Sequence, residues 1–205
     1  MKKYKIFIDC NKEEEWLNQI AKQGYELVNV SWGYQFKETK PQDANIRIDH
    51  RTFKSSKDFT DYCTMFEDSG WKHIAGGKNS TTQYFKKISE NGSEDIFSDA
   101  SSKAERYKRL SRIWLMAAIS YMPIIMALIF SNAIDVNAIV HPKLLYYTPG
   151  LWEKSGFQFW KAFIFETPFA LMRGFLWFFI LALVIMYIYF SLKAQYLYKV
   201  AQKEI

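Results

Sequence analysis

The sequence predicts an α+β fold: a duplicated βαββ cytoplasmic domain followed by an α-helical transmembrane hairpin. Three observations lead there. Charge is divided unevenly: residues 1–112 hold 20 Lys/Arg and 17 Asp/Glu, whereas residues 113–205 hold 7 and 4. Two long runs in the second part carry no charge. In the first part, apolar spacing, glycines and aromatics recur in register. The overall averages, 49% hydrophobic residues and mean hydropathy −0.19, blend two bodies suited to different solvents. That division excludes a single globular domain, a disordered chain and a secreted disulfide scaffold.

The first unit reads as strand 3–9, helix 12–23, strand 25–31 and strand 34–38. The second reads as strand 45–50, helix 57–69, strand 71–75 and strand 82–88. Ile6, Ile8 and Asp9 are aligned with Ile46, Ile48 and Asp49. Trp16, Ile20, Gly24, Tyr25 and Val28 answer Tyr62, Phe66, Gly70, Trp71 and Ile74 at one offset, and Gln35-Phe36-Lys37 answers Tyr84-Phe85-Lys86. Trp16, Leu17, Ile20 and Ala21 make an apolar helix stripe, as do Phe59, Tyr62, Cys63 and Phe66. Gly24 and Gly70 each follow a helix, where a left-handed C-terminal residue favours glycine. The aromatic after each glycine anchors the returning strand, and Trp32-Gly33 and Gly76-Gly77 supply turns. Residues 89–112 read as a polar flexible linker and a basic juxtamembrane segment.

Residues 113–130, IWLMAAISYMPIIMALIF, contain no charge. At about 1.5 Å per residue such a helix nearly crosses a hydrocarbon layer of about 30 Å, and residues 131–134 extend it. Pro123 is expected to kink it. Residues 174–192, GFLWFFILALVIMYIYFSL, form the second expected span. The connection 135–173 is aromatic yet interrupted by Lys161, Glu166 and Pro168, so residues 157–172 read as an interfacial helix, with Trp152 and Trp160 at headgroup depth. Lys103, Arg106, Lys108, Arg109 and Arg112 lie before the first span and Lys193, Lys199 and Lys203 after the second. This clustering places both termini in the cytoplasm of a two-span membrane protein. The opening residues lack the apolar core of a cleaved signal. Cys10 and Cys63 then stay reduced.

Glu14-Glu15-Trp16-Leu17-Asn18, followed by Ile20-Ala21, Gly24-Tyr25 and Leu27, resembles the signature of the domain-of-unknown-function family numbered 2812. Tyr34-x-Phe36, Ile46-Arg47-Ile48-Asp49, Gly70-Trp71 and Tyr84-Phe85 are similar to its later features. The resemblance implies a bacterial membrane protein with a cytoplasmic head and a helical hairpin, of a family often encoded beside a PadR-like regulator, and hence a regulatory setting without known enzymatic activity. The order of elements alone is similar to GyrI-like duplicated βαββ domains, which implies a shallow groove for bulky, often cationic small molecules.

No catalytic constellation emerges. His50, His73 and His141 lack partners at metal-ligand spacing, and no cofactor is implied. Residues 76–81 lack phosphate-loop spacing and read as a hairpin turn. Glu13, Glu14 and Glu15 complement the positive end of a helix dipole. Asp9 and Asp49 occupy equivalent strand ends. Glu26 is the strongest ligand candidate, because charge is disfavoured inside a strand; with Trp32, Tyr34 and Trp71 it would form an aromatic groove for a lipophilic cation. The basic residues 103, 106, 108, 109 and 112 are assigned to anionic lipid rather than nucleic acid, since residues 1–102 are nearly balanced in charge. The resulting expectation is a non-enzymatic membrane protein whose cytoplasmic domain binds a ligand or partner, a PadR-like regulator or another membrane protein, in regulatory or envelope-stress signalling. The alternatives are an accessory or sensor subunit of a transporter and a lipophilic-cation sensor.

Overall fold

The computed structural model describes residues 1–89, 93–131 and 136–203. The chain divides into two compact units, Met1–Ile113 with Phe190–Ile205, and Trp114–Tyr189. In the first unit, β1 (Lys2–Lys3), α1 (Cys10–Lys22), β2 (Tyr25–Ser31) and β3 (Gly33–Glu38) are followed by β4 (Ile46–His50), α2 (Ser56–Asp68), β5 (Trp71–Ala75) and β6 (Thr82–Lys87). Two antiparallel sheets result, ordered β1-β3-β2 and β4-β6-β5, with the edge strands β2 and β5 adjoining. Each half therefore has the same connectivity.

The agreement extends to details. Side chains of Asp9 and Ser55 cap the two helices, accepting from Asn11 N–H and Asp58 N–H. Gly24 and Gly70 follow the helices at φ +86° and +84°, a region that other L-residues enter at a cost. Their carbonyls accept from Thr39 N–H and Ile88 N–H, closing both halves alike. Val28 and Ile74 are the extra residues at irregularities in the β2–β3 and β5–β6 ladders.

One strand expectation fails. Residues 4–9 form no ladder; β1 is only Lys2–Lys3, paired with Gln35 and Tyr34, and Ile6 is exposed. Ile46 and Ile48, aligned with Ile6 and Ile8 in the sequence, are buried in β4. The true counterpart of Ile48-Asp49 is Lys2-Lys3, 46 positions earlier, the separation that also relates Trp16 to Tyr62 and Gly24 to Gly70. Asp9 and Asp49 are thus not equivalent: one caps a helix, the other lies within a strand.

The expected linker is also partly structured. Ile96 packs on a cluster of Tyr62, Phe66, Trp71 and Phe85. Helix α3 (Ala100–Ser120) begins 13 residues before the apolar run and is continuous with it. It gives way at Tyr121 to α4 (Met122–Phe130), with Pro123 in the first turn, where its missing N–H is harmless. Within the same unit, the C-terminal end of α5 meets the base of α3, and Ser191 Oγ donates to Ser111 O at 3.0 Å. The expectation for residues 132–135 lies outside the described residues.

In the second unit, short 3-10 turns lead into α5 (Gly156–Lys203), one 48-residue helix with Pro168 inside it. The aromatic segment 157–172 is helical and runs without a break into the expected span. Tyr146, Trp152, Phe159 and Phe163 pack as rings 5.3–6.2 Å apart. Glu166 pairs with Arg173, one of two charged groups that meet at this end of the helix. Ala100–Phe130 and Gly156–Lys203 are long and apolar enough to cross a membrane; only 6% of each most apolar window is buried, unlike the core helix of a soluble protein.

Candidate functional site

Helix α1 buries Cys10, Glu13, Glu14, Leu17, Ile20 and Ala21 along one stripe. Two carboxylates sit on a core face, which requires partners for both. Glu13 accepts from Tyr34 Oη and Tyr84 Oη, each at 2.7 Å, so one carboxylate joins the two sheets. Burial pushes the Glu13 carboxyl up, and the two phenols oppose that by stabilising its charge. Burial likewise pushes up Tyr34 and Tyr84, keeping both as donors.

Glu14 and Asn18 do a different task. Strand β4 is a sheet edge, and its outward Ile46 N–H and Ile48 N–H donate to Asn18 Oδ1 and Glu14 Oε1 at 2.9 and 3.0 Å. Two side chains one helical turn apart thereby complete a strand edge. Glu14 Oε1 also pairs with Arg106 of α3 at 2.5 Å. Arg106 is fully buried and donates further to Ile48 O and Asn11 Oδ1. Nearby, Arg109 binds His50 O and Asp49, Asp49 accepts from Tyr62 Oη at 2.9 Å, and Tyr107 Oη donates to Asp9 at 2.9 Å. The helix that carries the first apolar run is therefore seated in the head by a buried polar network.

Glu13 stands in the first turn of α1, at the positive end of its dipole, and both Glu13 and Glu14 are also core groups. Arg106 is not available to lipid, Arg109 is committed to Asp49 and His50, and Lys103 pairs with Asp95 at 2.7 Å; Lys108 and Arg112 remain exposed. The signal was present: Glu13 and Glu14 lie four and three residues before Leu17, on the continuation of the apolar stripe.

Nor does the expected ligand groove form. Trp71 is buried in the second core, Tyr34 is held by Glu13, and Trp32 is 84% exposed at a turn. Glu26 already pairs with Lys37 and Lys86, both at 2.9 Å, and their hydrogen bonds hold its carboxyl below the usual range. Four residues in four separate settings do not make one site.

The fold does assemble a pair that sequence spacing concealed: Cys10 Sγ lies 3.2 Å from His50 Nε2, and Thr82 Oγ1 lies 3.2 Å from His50 Nδ1. These are the residue types of a nucleophile and its base. Burial pushes the Cys10 thiol up and the His50 imidazole down to about 4, so both stay uncharged and no thiolate is supplied. Both cysteines are free, and among the described residues no group of three His, Cys, Asp or Glu is placed to hold a metal ion.

A groove of about 1370 Å³ opens beside α2, between its last turn and residues 93–105. Tyr62, Phe66 and Trp71 provide apolar wall; Glu67, Asp68, Asp99 and Glu105 provide negative charge.

An α+β head and two span-length helices define the class. The profile of the family described as "Protein of unknown function (DUF2812)" matches residues 9–119, and the chain belongs to that family. The match takes in strands β2 to β6, both helices of the head and nearly all of α3, including Arg106. No curated protein and no solved structure matches the chain.

Proposed function

We propose that the protein is a non-enzymatic, two-span membrane protein whose cytoplasmic head binds a partner and transmits its occupancy to the membrane helices in a regulatory or envelope-stress setting. The observation that supports this reading most is the seating of Arg106: the helix leading into the first apolar run starts inside the head and is fixed there by a fully buried guanidinium on Glu14. A merely tethering segment has no need of a buried ion pair, whose desolvation offsets most of its attraction. A helix rooted in this way gives the head a direct covalent connection to the first apolar run. The matching connectivity of the two halves fits an internal duplication. The Lys and Arg beside both spans favour cytoplasmic termini.

The reading is tested in native membranes. The chain is expected to remain in the membrane fraction after an alkaline wash, with its N-terminal part resistant to protease added outside intact cells. Cross-linked capture is then expected to recover a soluble regulator, a PadR-like protein being the one the family setting suggests. Recovery of only integral proteins would instead favour an accessory subunit of a transporter. Release of the chain without detergent would remove the membrane reading altogether.

A further inference from the structure

We infer that the groove beside α2 is the docking site for a basic, partly apolar peptide segment of a partner protein. This deepens the proposed function by naming the chemistry of the partner, and it rests on that reading.

Charge comes first. Glu67 and Asp68 occupy the last turn of α2, a turn that contains no basic residue. Acidic groups there face the negative end of the helix dipole, an unfavourable place for them. Among the described residues neither has an ion-pair partner, and both are exposed. Across the groove Asp99 adds negative charge from the start of α3 and Glu105 pairs with Lys108, while the two cations in the lining, Arg51 and Arg109, are held by Asp58 and Asp49. The equivalent positions of α1 are Ala21 and Lys22, so the acidic pair is a departure from the repeat rather than part of its folding pattern.

A second observation is independent of charge. Trp71 is fully buried, lines the groove, and its Nε1–H has no hydrogen-bond partner among the described residues. A buried donor left unmade is costly, and a ligand that parts the side chains over Trp71 and brings an acceptor relieves it. Polyamines and lipophilic ammonium ions match the carboxylates but carry no acceptor. A peptide carries both: Lys or Arg for the acidic rim and backbone carbonyls for the indole. Size agrees, because about 1370 Å³ exceeds the usual range of small-molecule pockets, about 300–1,000 Å³. Tyr62, Phe66 and the exposed Met65 supply contact for apolar side chains between the basic ones.

The test uses the full chain in nanodiscs of zwitterionic lipid, which do not attract basic peptides, and a random peptide library displayed on phage. Enriched peptides should interleave Lys or Arg with apolar residues. Synthetic copies should bind at least about tenfold more weakly to E67K/D68K, and more weakly as salt rises. That variant places cations at a helix C-terminus, so it should fold at least as well as the parent. Trp71→Phe keeps the ring and removes the donor, and should weaken binding less. Enrichment of neutral or acidic peptides, no enrichment, unchanged affinity in E67K/D68K, or displacement by spermine as effective as by the peptide would each overturn the inference. So would self-association of the chain that E67K/D68K abolishes and the peptides do not. Such failures with the protein still membrane-held and oriented as proposed would discard the groove alone; loss of membrane residence would discard the wider reading.

Discussion

Helices α1 and α2 stand 46 positions apart, start with a side-chain cap, stop at a glycine of positive φ and feed strands with an irregularity at the same place. They face different surroundings. Glu13 and Glu14 of α1 correspond to Phe59 and Thr60 of α2, and Ala21 corresponds to Glu67. Six residues of α1 are buried, among β2, β4 and the root of α3; in α2 only Tyr62 and Phe66 are. The shared positions are those that make a helix, a turn and a strand. The differing positions set the contacts of each half: one clamps the root of α3, the other leaves an acidic groove open. In two halves of like connectivity, the departures from the shared pattern set their surroundings apart.

The largest expected effect breaks the clamp. Arg106→Met removes the nearer of two cations on Glu14 and leaves a buried carboxylate with only Arg47, 3.6 Å away, at a cost toward the low end of about 3–5 kcal/mol. Thermal unfolding of the detergent-solubilised chain should show a correspondingly lowered midpoint. The double variant R106M/E14L removes both charges and should recover most of the loss, minus the bond from Ile48 N–H. Thr60→Ala, at the α2 position matching Glu14, should be nearly silent. Equal effects on the two helices would deny the asymmetry.

His50 lies on the α1 side of the same network, and its imidazole is pushed by burial to about 4, from an ordinary value of about 6.5. Between pH 6.5 and 4 the unfolded chain therefore takes up a proton that the folded chain refuses. Stability from this residue is complete above about pH 6.5, falls as pH drops, and is exhausted near pH 4, a loss of about 3 kcal/mol. His50→Gln should flatten that part of the stability–pH curve. A curve of unchanged slope would mean that the imidazole is solvated in solution.

Much of the fold was legible because its determinants are local. Helix periodicity, a glycine after each helix and the uncharged runs are written in neighbouring residues. The first strand is hidden because Ile6-x-Ile8-Asp9 resembles Ile46-x-Ile48-Asp49 at a separation of 40, which conflicts with the 46 that relates Trp16 to Tyr62 and Val28 to Ile74. Holding the offset constant would have selected Lys2-Lys3, whose charges hide a strand that pairs through its backbone. The candidate site was less legible for a different reason. The bonds Glu14–Arg106 and Cys10–His50 join residues 92 and 40 positions apart, and nothing local marks them except acidic residues on an apolar stripe. The groove of Glu26, Trp32, Tyr34 and Trp71 failed because residue type was taken for direction; alternation along a strand sends neighbours to opposite faces.

Smaller effects probe what the halves share. Gly24→Ala forces a side chain into φ +86°, at about 1–2 kcal/mol, and its Cβ would lie 2.9 Å from Thr39 O. Gly70→Ala meets nearly the same φ, +84°, and should lose a similar amount on that account. Urea midpoints compare the two directly, and a harmless Gly70→Ala would show that the second helix ends by other means.

The smallest and sharpest comparison concerns the caps. Ser55→Ala removes one acceptor for Asp58 N–H and should cost about 1 kcal/mol. Asp9→Ala removes the equivalent acceptor for Asn11 N–H, but Asp9 Oδ1 also accepts from Tyr107 Oη of α3. It should therefore cost about 1 kcal/mol more than Ser55→Ala. Tyr107→Phe supplies the control: with that phenol gone, the two cap substitutions should become equal. Equality without Tyr107→Phe would mean that Asp9 serves only its own helix and that α3 is rooted through Arg106 and Arg109 alone. A persistent gap after Tyr107→Phe would place the difference in the helix starts themselves.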